Sequence, residues 1–550
     1  MRLTTFGPAV QTAVPQPRLT TKPRLAAWAA VLTSLAGGLA LAESFPPAGI
    51  WPLAILGPAL LAIALRGQRL RVALTVGIVF GLGFFYPLLS WEINLAWYVW
   101  VALAAGETLI FGVLATGQWL LLRLRAWPVA VAGWWVMAEA VRDRWPWGGF
   151  PWGRLAMSQA TSPAVRWVAV GGPVFLSFLV ALCGTCLAWL IIGPAGESDR
   201  RAGLRSVLAA RPRAVAGGAF VAVVAVTLGG GLLPVDGASP GQQTAVVAAI
   251  QGDVPHATNL PDLWRATTVT QNHAAATLAL AAKVRAGQLP APDLVIWPEN
   301  SSDEDPAYDP YIYDTIFSAV GAIDRPVLVG VVLQNPVRNA GQLWLPGRGP
   351  VAVYIKRRLV PFGEVIPFRS LLAHITNLPS SLQPVNFTPG HKAVVFKLGK
   401  IRLGDVICYE VSFDGLVASE VNAGANLLTV QTNDADFEID GQMGETLQQL
   451  AMARIRAVEF NRSVVVASTT GVSAIIRPNG SLIVTTGTWK RAEIEATVPL
   501  RTSMTIADRI GGWPEAVIAW ATVAVLAWLM GGSLWRRRRR DQPEPGPAAQ

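Results

Sequence analysis

Charged residues and histidines are scarce in this 550-residue chain, and both shortages limit what it can be. Charged side chains make up 15% of the residues and hydrophobic side chains 52%, which is unusual for a soluble protein. The histidines show neither metal-ligand spacing nor an H-E-x-x-H motif, so we expect no metal and no other cofactor. No G-x-S-x-G motif marks a serine nucleophile. The histidine positions are His256, His273, His374 and His391.

Cysteine is rarer still, with three residues in the whole chain. Cys183 and Cys186 form a C-x-x-C pair inside an apolar run, where we expect two small packing residues rather than a redox or metal site. Cys408, in the segment D-V-I-C-Y-E, is far from both in the sequence. A lone cysteine is usually a small buried hydrophobe, so other residues have to decide whether it carries chemistry.

Long apolar runs dominate residues 25–235 and recur near residue 520. They are about 18–25 residues long, enough for helices that cross a hydrocarbon layer of roughly 30 Å. We predict eight spans: 25–42, 49–65, 72–90, 96–122, 126–141, 165–192, 215–233 and 513–535. The predicted domains are an N-terminal tail (1–24), a seven-span membrane domain (25–233), a large domain outside the membrane (234–512), the eighth span (513–535) and a basic, disordered tail (536–550).

Arginine and lysine are concentrated in every second connection between these spans, as is typical of loops on the cytoplasmic side. The alternation predicts that both termini are cytoplasmic and that 234–512 lies on the other side of the cytoplasmic membrane. The net charge of +10 is then largely explained by cytoplasmic arginines, including the run Arg536–Arg540. We interpret this run as a topology anchor next to anionic lipid and expect no nucleic-acid partner.

Residues 240–505 change to short strand-like segments that alternate with amphipathic helical ones, which predicts an α/β layered domain. The predicted strands are 244–251, 293–299, 327–333, 351–356, 393–396, 401–408, 426–432, 463–468 and 473–477. Helical periodicity covers 263–286, 309–321, 412–422 and 442–460.

Three polar side chains lie at or near the C-terminal ends of predicted strands, where open α/β sheets build their sites. Taken singly, Glu299 could cap the next segment, Lys356 could be a solvated cation, and Cys408 could be a buried apolar residue. Together they combine a thiol with a base that can remove its proton. The lysine adds a cation that can stabilise a thiolate and then an oxyanion. The combination predicts a cysteine nucleophile.

Several segments together resemble the bacterial apolipoprotein N-acyltransferase family, a membrane-embedded branch of the nitrilase, or carbon-nitrogen hydrolase, superfamily. In the α/β domain they are V-I-W-P-E-N, Y-I-K-R-R-L-V-P-F-G-E-V-I-P-F-R-S-L-L, G-D-V-I-C-Y-E and the stretch 449–482. F-P-P-A-G-I-W-P-L-A-I-L and G-F-P-W-G-R-L-A-M-S-Q extend the resemblance over the membrane part. The run K-x-x-L-V-P-F-G-E is the most distinctive of these motifs.

The resemblance implies a polytopic α-helical membrane protein with eight spans that carries an αββα nitrilase-like sandwich outside the membrane. It also implies a Glu-Lys-Cys triad. In that triad Glu299 is the general base, Lys356 stabilises the thiolate and the oxyanion, and Cys408 is the nucleophile. Three further positions match supporting residues of the family: Glu364, Tyr409 and Glu410.

The chemistry that the resemblance implies is ping-pong acyl transfer. The cysteine takes an acyl chain from a membrane phospholipid as a thioester and passes it to the N-terminal cysteine α-amine of a diacylglyceryl-apolipoprotein. We expect a monomer in the bacterial cytoplasmic membrane. Two alternatives stay open: a membrane-anchored nitrilase-type amidase or hydrolase, and a non-catalytic transporter or scaffold. Seven spans before the α/β domain favour a lipid substrate over simple anchoring, and the scaffold predicts that the triad is dispensable.

The loop 142–166, on the outer side in this topology, contains the cations Arg142, Arg144 and Arg154. The resemblance makes them candidates for contacts with phospholipid phosphates, while snorkelling at helix ends is the ordinary explanation. Two other segments depart from the family pattern. Asn259-Leu260 stand where a Lys-Trp pair is common, and Asp436-Phe437-Glu438 replace Trp-Phe-Gly. Both lie in loops that we expect to border the substrates.

Overall fold

The structure is a computed structural model, and it describes residues 25–193, 206–235, 241–255, 262–374, 384–438, 441 and 443–540. The predictions for the tail 1–24, for His256, for Asn259-Leu260 and for residues 541–550 lie outside these residues.

Helices make up most of the first part of the chain and alternate with strands in the second. The α-helices are α1 Ala27–Ala42, α2 Leu53–Leu65, α3 Leu70–Leu88, α4 Trp97–Leu121, α5 Trp127–Arg142, α6 Val168–Ile192, α7 Ser206–Gly229, α8 Asp262–Arg285, α9 Pro310–Ile323, α10 Arg369–Ala373, α11 Asp414–Asn422, α12 Gly444–Phe460, α13 Ile506–Ile510 and α14 Trp513–Arg540. The strands are β1 Thr244–Gln251, β2 Leu294–Ile296, β3 Val327–Leu333, β4 Arg338–Leu345, β5 Gly349–Ile355, β6 Val395–Leu398, β7 Ile401–Ile407, β8 Leu427–Thr432, β9 Ser463–Ser468, β10 Ala474–Ile476, β11 Leu482–Thr485 and β12 Ala492–Pro499.

Eight of the helices, α1 to α7 and α14, each overlap one predicted span. Among the described residues, five apolar helical segments are long enough to cross a membrane: Leu70–Leu88, Trp97–Leu121, Pro163–Ile192, Ala214–Leu232 and Trp513–Gly531. Helices α1, α2 and α5 are shorter. The count of eight spans and their topology therefore stay predictions. Helix α14 continues through Arg540, whereas the sequence predicted disorder from residue 536.

Small residues let the first apolar helices pack backbone against backbone, as in membrane helix bundles. A Cβ atom on Gly38 of α1 would lie 2.3 Å from the carbonyl oxygen of Phe80 in α3. On the other face of α3, a Cβ on Gly77 would lie 2.6 Å from Cβ of Ala115 in α4. No side chain fits at these two positions without moving a neighbouring helix.

The α/β domain consists of two six-stranded sheets, with strand orders β12-β1-β2-β3-β4-β5 and β11-β10-β9-β8-β7-β6. The side chains of β1 enter two different hydrophobic cores in alternation. Val247 and Ala249 of β1 enter the core shared with the second sheet. Ala248 and Ile250 enter the core shared with α8 and α9. Because strand side chains alternate between faces, burial on both faces requires continuous apolar strands. The second sheet packs against α11 and α12.

Strands β4, β11 and β12 were not predicted. Polar residues interrupt the apolar pattern in β4 (R-N-A-G-Q-L-W-L) and in β12 (A-E-I-E-A-T-V-P). Strand β4 forms its backbone hydrogen bonds with β3 and β5. Strand β12 forms them with β1. Pairing with a neighbouring strand therefore determines whether these segments become strands more than their own composition does.

Helix α12 joins the α/β domain to the apolar helices through one buried side chain, Gln448. Its Oε1 accepts hydrogen bonds from Nε1 of Trp152 at 2.6 Å and from Nε1 of Trp91 at 3.4 Å. Its Nε2 donates to the carbonyl oxygens of Pro46 and Leu88 at 3.0 and 3.1 Å. This contact holds α12, and with it the second sheet, close to the end of α3.

Candidate active site

The three predicted site residues lie at the carboxyl ends of strands, as the sequence indicated. Glu299 follows β2 closely, Lys356 comes directly after β5, and Cys408 comes directly after β7. Strands β1 to β3 run parallel to one another, as do β7 to β9, so each sheet gathers several carboxyl ends at one edge. All three side chains are buried.

Lys356 is held by two carboxylates, and the amide group of Asn339 binds the same two carboxylates. Its Nζ donates to Oε1 of Glu299 at 2.8 Å and to Oε1 of Glu364 at 3.0 Å. Nδ2 of Asn339 donates to the same two oxygens, at 2.6 and 2.7 Å. The backbone amide of Asn433 donates to Oε2 of Glu299 at 2.9 Å. The predicted supporting residue Glu364 thus contacts the lysine directly, and both oxygens of Glu299 have fixed positions.

The charges of these groups set the resting protonation state of Cys408. Burial, followed by the negative charge of Glu299, raises the pKa of the Cys408 thiol well above its usual value, and Lys356 offsets only part of this. Burial also raises the pKa of Glu299, against the effect of Lys356. Burial lowers the pKa of Lys356, but the two carboxylates outweigh it and hold that pKa well above its usual value. The resting site therefore has a neutral thiol that needs a base.

Glu410 fixes the backbone turn that carries Cys408. Cys408 has a φ of 52°, in the left-handed region that a residue with a Cβ adopts only when its surroundings enforce it. Oε2 of Glu410 accepts from the amide of Ile407 at 2.9 Å and from the hydroxyl of Tyr354 at 2.8 Å. Its Oε1 accepts from the amide of Arg357 at 2.6 Å. One carboxylate thus joins the ends of β5 and β7, which positions Cys408 relative to Lys356.

Tyr409, which follows Cys408, connects the end of β7 to the loop after α5. Its hydroxyl donates to the carbonyl oxygen of Gly149 at 3.0 Å. Its ring stacks on Phe150 and Trp152, with centroids 6.1 and 6.5 Å apart. The residue after the nucleophile is therefore a contact between the α/β domain and the helical part.

Three residues of the site were missed in the sequence: Asn339, Asn433 and Gln449. Nε2 of Gln449 lies 3.6 Å from Sγ of Cys408 and donates toward it. Asn433 directly follows β8, so it carried the same strand-end signal as Glu299. Asn339 lies in the unpredicted strand β4, and Gln449 lies inside a helix. Neither position had a signal of that kind.

Cys408 lies on the wall of an apolar cavity of about 580 Å³. One side of this cavity is a face of α4 that includes Leu103, Gly106 and Ile110. The other sides come from the loop after α5, including Trp147, and from the loop that contains Phe362. The cavity therefore runs from the nucleophile toward the apolar helices.

The three arginines of the loop 142–166 have different environments. Arg142 is buried and forms an ion pair with Glu107 of α4. Arg154 is buried and forms an ion pair with Asp414, in which Nη1 of the arginine donates to both carboxylate oxygens at 2.8 Å. The side chain of Arg144 is 64% exposed and forms an ion pair with Glu515 of α14. A lipid-phosphate contact at Arg142 or Arg154 would have to break a buried ion pair, whereas the ion pair of Arg144 is at the surface. Arg144 also lines a second, polar cavity of about 360 Å³.

Known proteins are similar to this chain over most of its length. Residues 37–186 match the family model described as the apolipoprotein N-acyltransferase N-terminal domain, and residues 246–507 match carbon-nitrogen hydrolase. The apolipoprotein N-acyltransferase of Mycolicibacterium smegmatis is 36% identical, over 90% of this chain and 84% of that protein. That of Methylococcus capsulatus is 31% identical, over 95% and 99%. A solved amidase from Nesterenkonia sp. is 16% identical, over 48% and 94%, with a TM-score of 0.35. The identity to the two acyltransferases, with both domain matches, shows that the chain belongs to the apolipoprotein N-acyltransferase family.

Proposed function

We propose that this membrane acyltransferase moves an acyl chain from a phospholipid to the N-terminal cysteine α-amine of a diacylglyceryl-apolipoprotein, which gives the mature triacylated lipoprotein. The acyl chain is carried as a thioester on Cys408. The observation that supports this most strongly is the position of Cys408. Its buried thiol adjoins Glu299 and Lys356 on one side and forms part of the wall of an apolar cavity along α4 on the other. Such a cavity suits an acyl chain.

In the first half-reaction Glu299 takes the thiol proton, and Sγ attacks the ester carbonyl carbon of the donor. The oxyanion that forms is stabilised by the charge of Lys356. The bond from the carbonyl carbon to the glycerol oxygen then breaks, and that oxygen receives the proton from Glu299. The products are lysophospholipid and the Cys408 thioester, and Glu299 is again a carboxylate.

In the second half-reaction the neutral α-amine of the acceptor attacks the thioester carbon. A C–N bond forms and the C–S bond breaks. The nitrogen now carries one proton more than the amide product needs. Glu299 takes this proton and gives it to the sulfur, which restores the thiol. A ping-pong order follows, because lysophospholipid leaves before the acceptor reacts.

The proposal includes an orientation in the bacterial cytoplasmic membrane. The α/β domain, residues 234–512, lies on the extracytoplasmic side, both termini are cytoplasmic, and the enzyme acts as a monomer. The contact through Gln448 supports a nucleophile close to the membrane surface, because it holds α12 against the ends of the apolar helices. A phospholipid ester lies at that depth, so the donor does not have to be extracted.

The test uses the purified full-length protein and a phospholipid that is labelled in its acyl chain. Wild type should acquire a label that hydroxylamine removes, and Cys408→Ala should acquire none. Addition of a diacylated lipopeptide should then transfer the label to the peptide amine.

A wild-type protein that never acquires the label, or a labelled Cys408→Ala, would overturn the thioester. Release of the label as free fatty acid in the presence of the lipopeptide would support the amidase or hydrolase alternative instead. Normal lipoprotein maturation in cells that carry only Glu299→Gln, Lys356→Met and Cys408→Ala variants would support the scaffold.

A further inference from the structure

A second buried carboxyl group, Glu445, lies on the wall of the catalytic cavity, and the mechanism above does not use it. Glu445 is in the first turn of α12 and is 2% exposed. Among the described residues, its Oε2 has no hydrogen-bond donor. A buried carboxyl oxygen without a donor is costly unless a ligand satisfies it. Here the cavity gives a ligand access to it.

Gln449 connects Glu445 to the nucleophile. The two residues are one helical turn apart, so their side chains lie on the same face of α12. Nε2 of Gln449 donates to Oε1 of Glu445 at 3.0 Å and approaches Sγ of Cys408 at 3.6 Å. A single amide group therefore spans the carboxyl and the thiol. Glu299 is held by a different set of partners, Lys356, Asn339 and Asn433.

The two half-reactions differ in what they require at this position. A phospholipid ester has no ionisable group at its reacting carbonyl. The acceptor arrives with an α-amine whose ordinary pKa is about 7.7–8.0, so at neutral pH most of it is an ammonium ion without a free electron pair. The acceptor therefore has to lose one proton before it attacks, and a cation needs an anionic or polar partner in an apolar cavity.

We propose that Glu445 binds the α-ammonium group of the acceptor and takes one proton from it, which leaves the neutral amine next to the Cys408 thioester. This rests on the acyl-thioester function proposed above. The proton balance closes. Glu445 becomes a carboxylic acid, the amine nitrogen forms the C–N bond, and its second proton reaches the departing sulfur. Glu445 then releases its proton to water after the product leaves.

The electrostatic environment of Glu445 suits this exchange. Burial, followed by the neighbouring carboxylate of Asp434, raises the pKa of Glu445 well above the ordinary value of a glutamate. A carboxylate in these surroundings holds a proton firmly once it has taken one. The other titratable groups that act on Glu445 are also acids: Glu438 and Glu299. The carboxyls Glu92 and Glu107 lie further along the cavity wall.

The experiment separates loading from transfer in the full-length enzyme. Single-turnover labelling with acyl-labelled phospholipid measures loading, and addition of a diacylated lipopeptide measures transfer. Glu445→Gln keeps the size of the side chain but removes the base. Loading should stay close to the wild-type rate, while transfer at neutral pH should slow by about 100-fold. The defect should shrink as the pH rises through about 8, because the peptide amine then deprotonates in solution.

Three other measurements sharpen the test. Hydroxylamine is largely neutral at neutral pH, so it should discharge wild type and Glu445→Gln equally. Glu445→Asp keeps a carboxyl and should recover part of the transfer rate. Glu495→Gln is the matched control, since Glu495 is an acid on strand β12 that is neither on the cavity wall nor among the groups that act on Glu445. It should transfer like wild type.

The proposal would be overturned by wild-type transfer in Glu445→Gln, by equal slowing of loading and transfer, or by a transfer defect that does not change with pH. Equal defects in Glu445→Gln and Glu495→Gln would also overturn it, because they would indicate a general effect of charge. A wild-type enzyme that is never loaded would instead contradict the proposed function, and that result is visible before any acceptor is added.

Discussion

Nζ of Lys356 lies 2.8 Å from Oε1 of Glu299, and both side chains are buried. Because the site is shielded from water, each charge depends on the other, and removing one partner leaves the other uncompensated. In the proposed mechanism the same pair supplies the base and the cation that the thiol needs. Substitutions that keep the size of the side chain are therefore the informative ones.

Glu299→Gln should reduce the rate at which Cys408 is acylated by about 100- to 10,000-fold. The amide keeps the volume of the side chain but cannot take the thiol proton. The measurement is single-turnover labelling with acyl-labelled phospholipid. Glu495→Gln, on the edge strand β12, is a matched control that should be labelled like wild type. Labelling of Glu299→Gln at the wild-type rate would contradict the role of Glu299 as the base.

Glu299→Gln should slow acylation of Cys408 by phospholipid, but it should make alkylation of Cys408 easier at a given pH. The raised thiol pKa keeps Cys408 neutral at neutral pH, so wild type should react slowly with iodoacetamide until the pH is well above about 8.5. Glu299→Gln removes a negative charge that raises this pKa, so its alkylation curve should move to lower pH. Mass spectrometry can follow the adduct, with Cys408→Ala as the blank. A curve that stays in place or moves upward would show that the charge does not act on the thiol.

Arg142→Ala should destabilise the protein by about 3–5 kcal/mol, because it leaves Glu107 as a buried charge without its partner. Thermal unfolding in detergent should show the loss as a lower Tm. Arg144→Ala removes an exposed side chain from the same loop and should leave the Tm nearly unchanged. Similar Tm values for the two variants would mean that the buried pair adds little.

Arg144→Ala should raise the KM for an anionic phospholipid donor by about two- to fivefold and leave kcat similar, because an exposed cation attracts phosphate weakly. The effect should fade at high salt. Arg285→Ala, an exposed arginine on α8, is the control and should not change donor kinetics. An unchanged KM for Arg144→Ala at low salt would leave snorkelling as the explanation of this residue.

Gly106→Phe should block donors with long acyl chains, since Gly106 lies on the cavity wall and a Cβ there would meet no atom within 4 Å. The new ring would occupy the space along α4, so turnover of long-chain donors should fall by at least about tenfold while short-chain donors keep reacting.

Gly106→Ala should be tolerated, because a methyl group leaves most of the cavity open. Gly218→Phe on α7 is the control for a large side chain on an apolar helix, since Gly218 has the same open surroundings but is not on the cavity wall. Equal loss of short- and long-chain turnover in Gly106→Phe would mean that the acyl chain does not lie along α4.

Much of the fold could be predicted because its elements are local patterns. Apolar runs identified the helices α1 to α7 and α14, and strands β1, β3 and β9 begin and end at the predicted residues. These strands are buried on both faces, so their continuous apolar composition is enough to identify them as strands. Strand β4 was missed because its polar residues serve the site and not the core: Asn339 contacts both Glu299 and Glu364.

The sequence by itself determined which residues end the site-forming strands, because a polar residue after an apolar strand is a short-range signal. Only the tertiary structure decided what each of them contacts. It paired Arg142 with Glu107 and Arg154 with Asp414, and it brought Gln449 to Cys408. These partners are distant along the chain, and no local pattern encodes their distance. Burial then sets the protonation states, because the cost of a charge depends on everything packed around it.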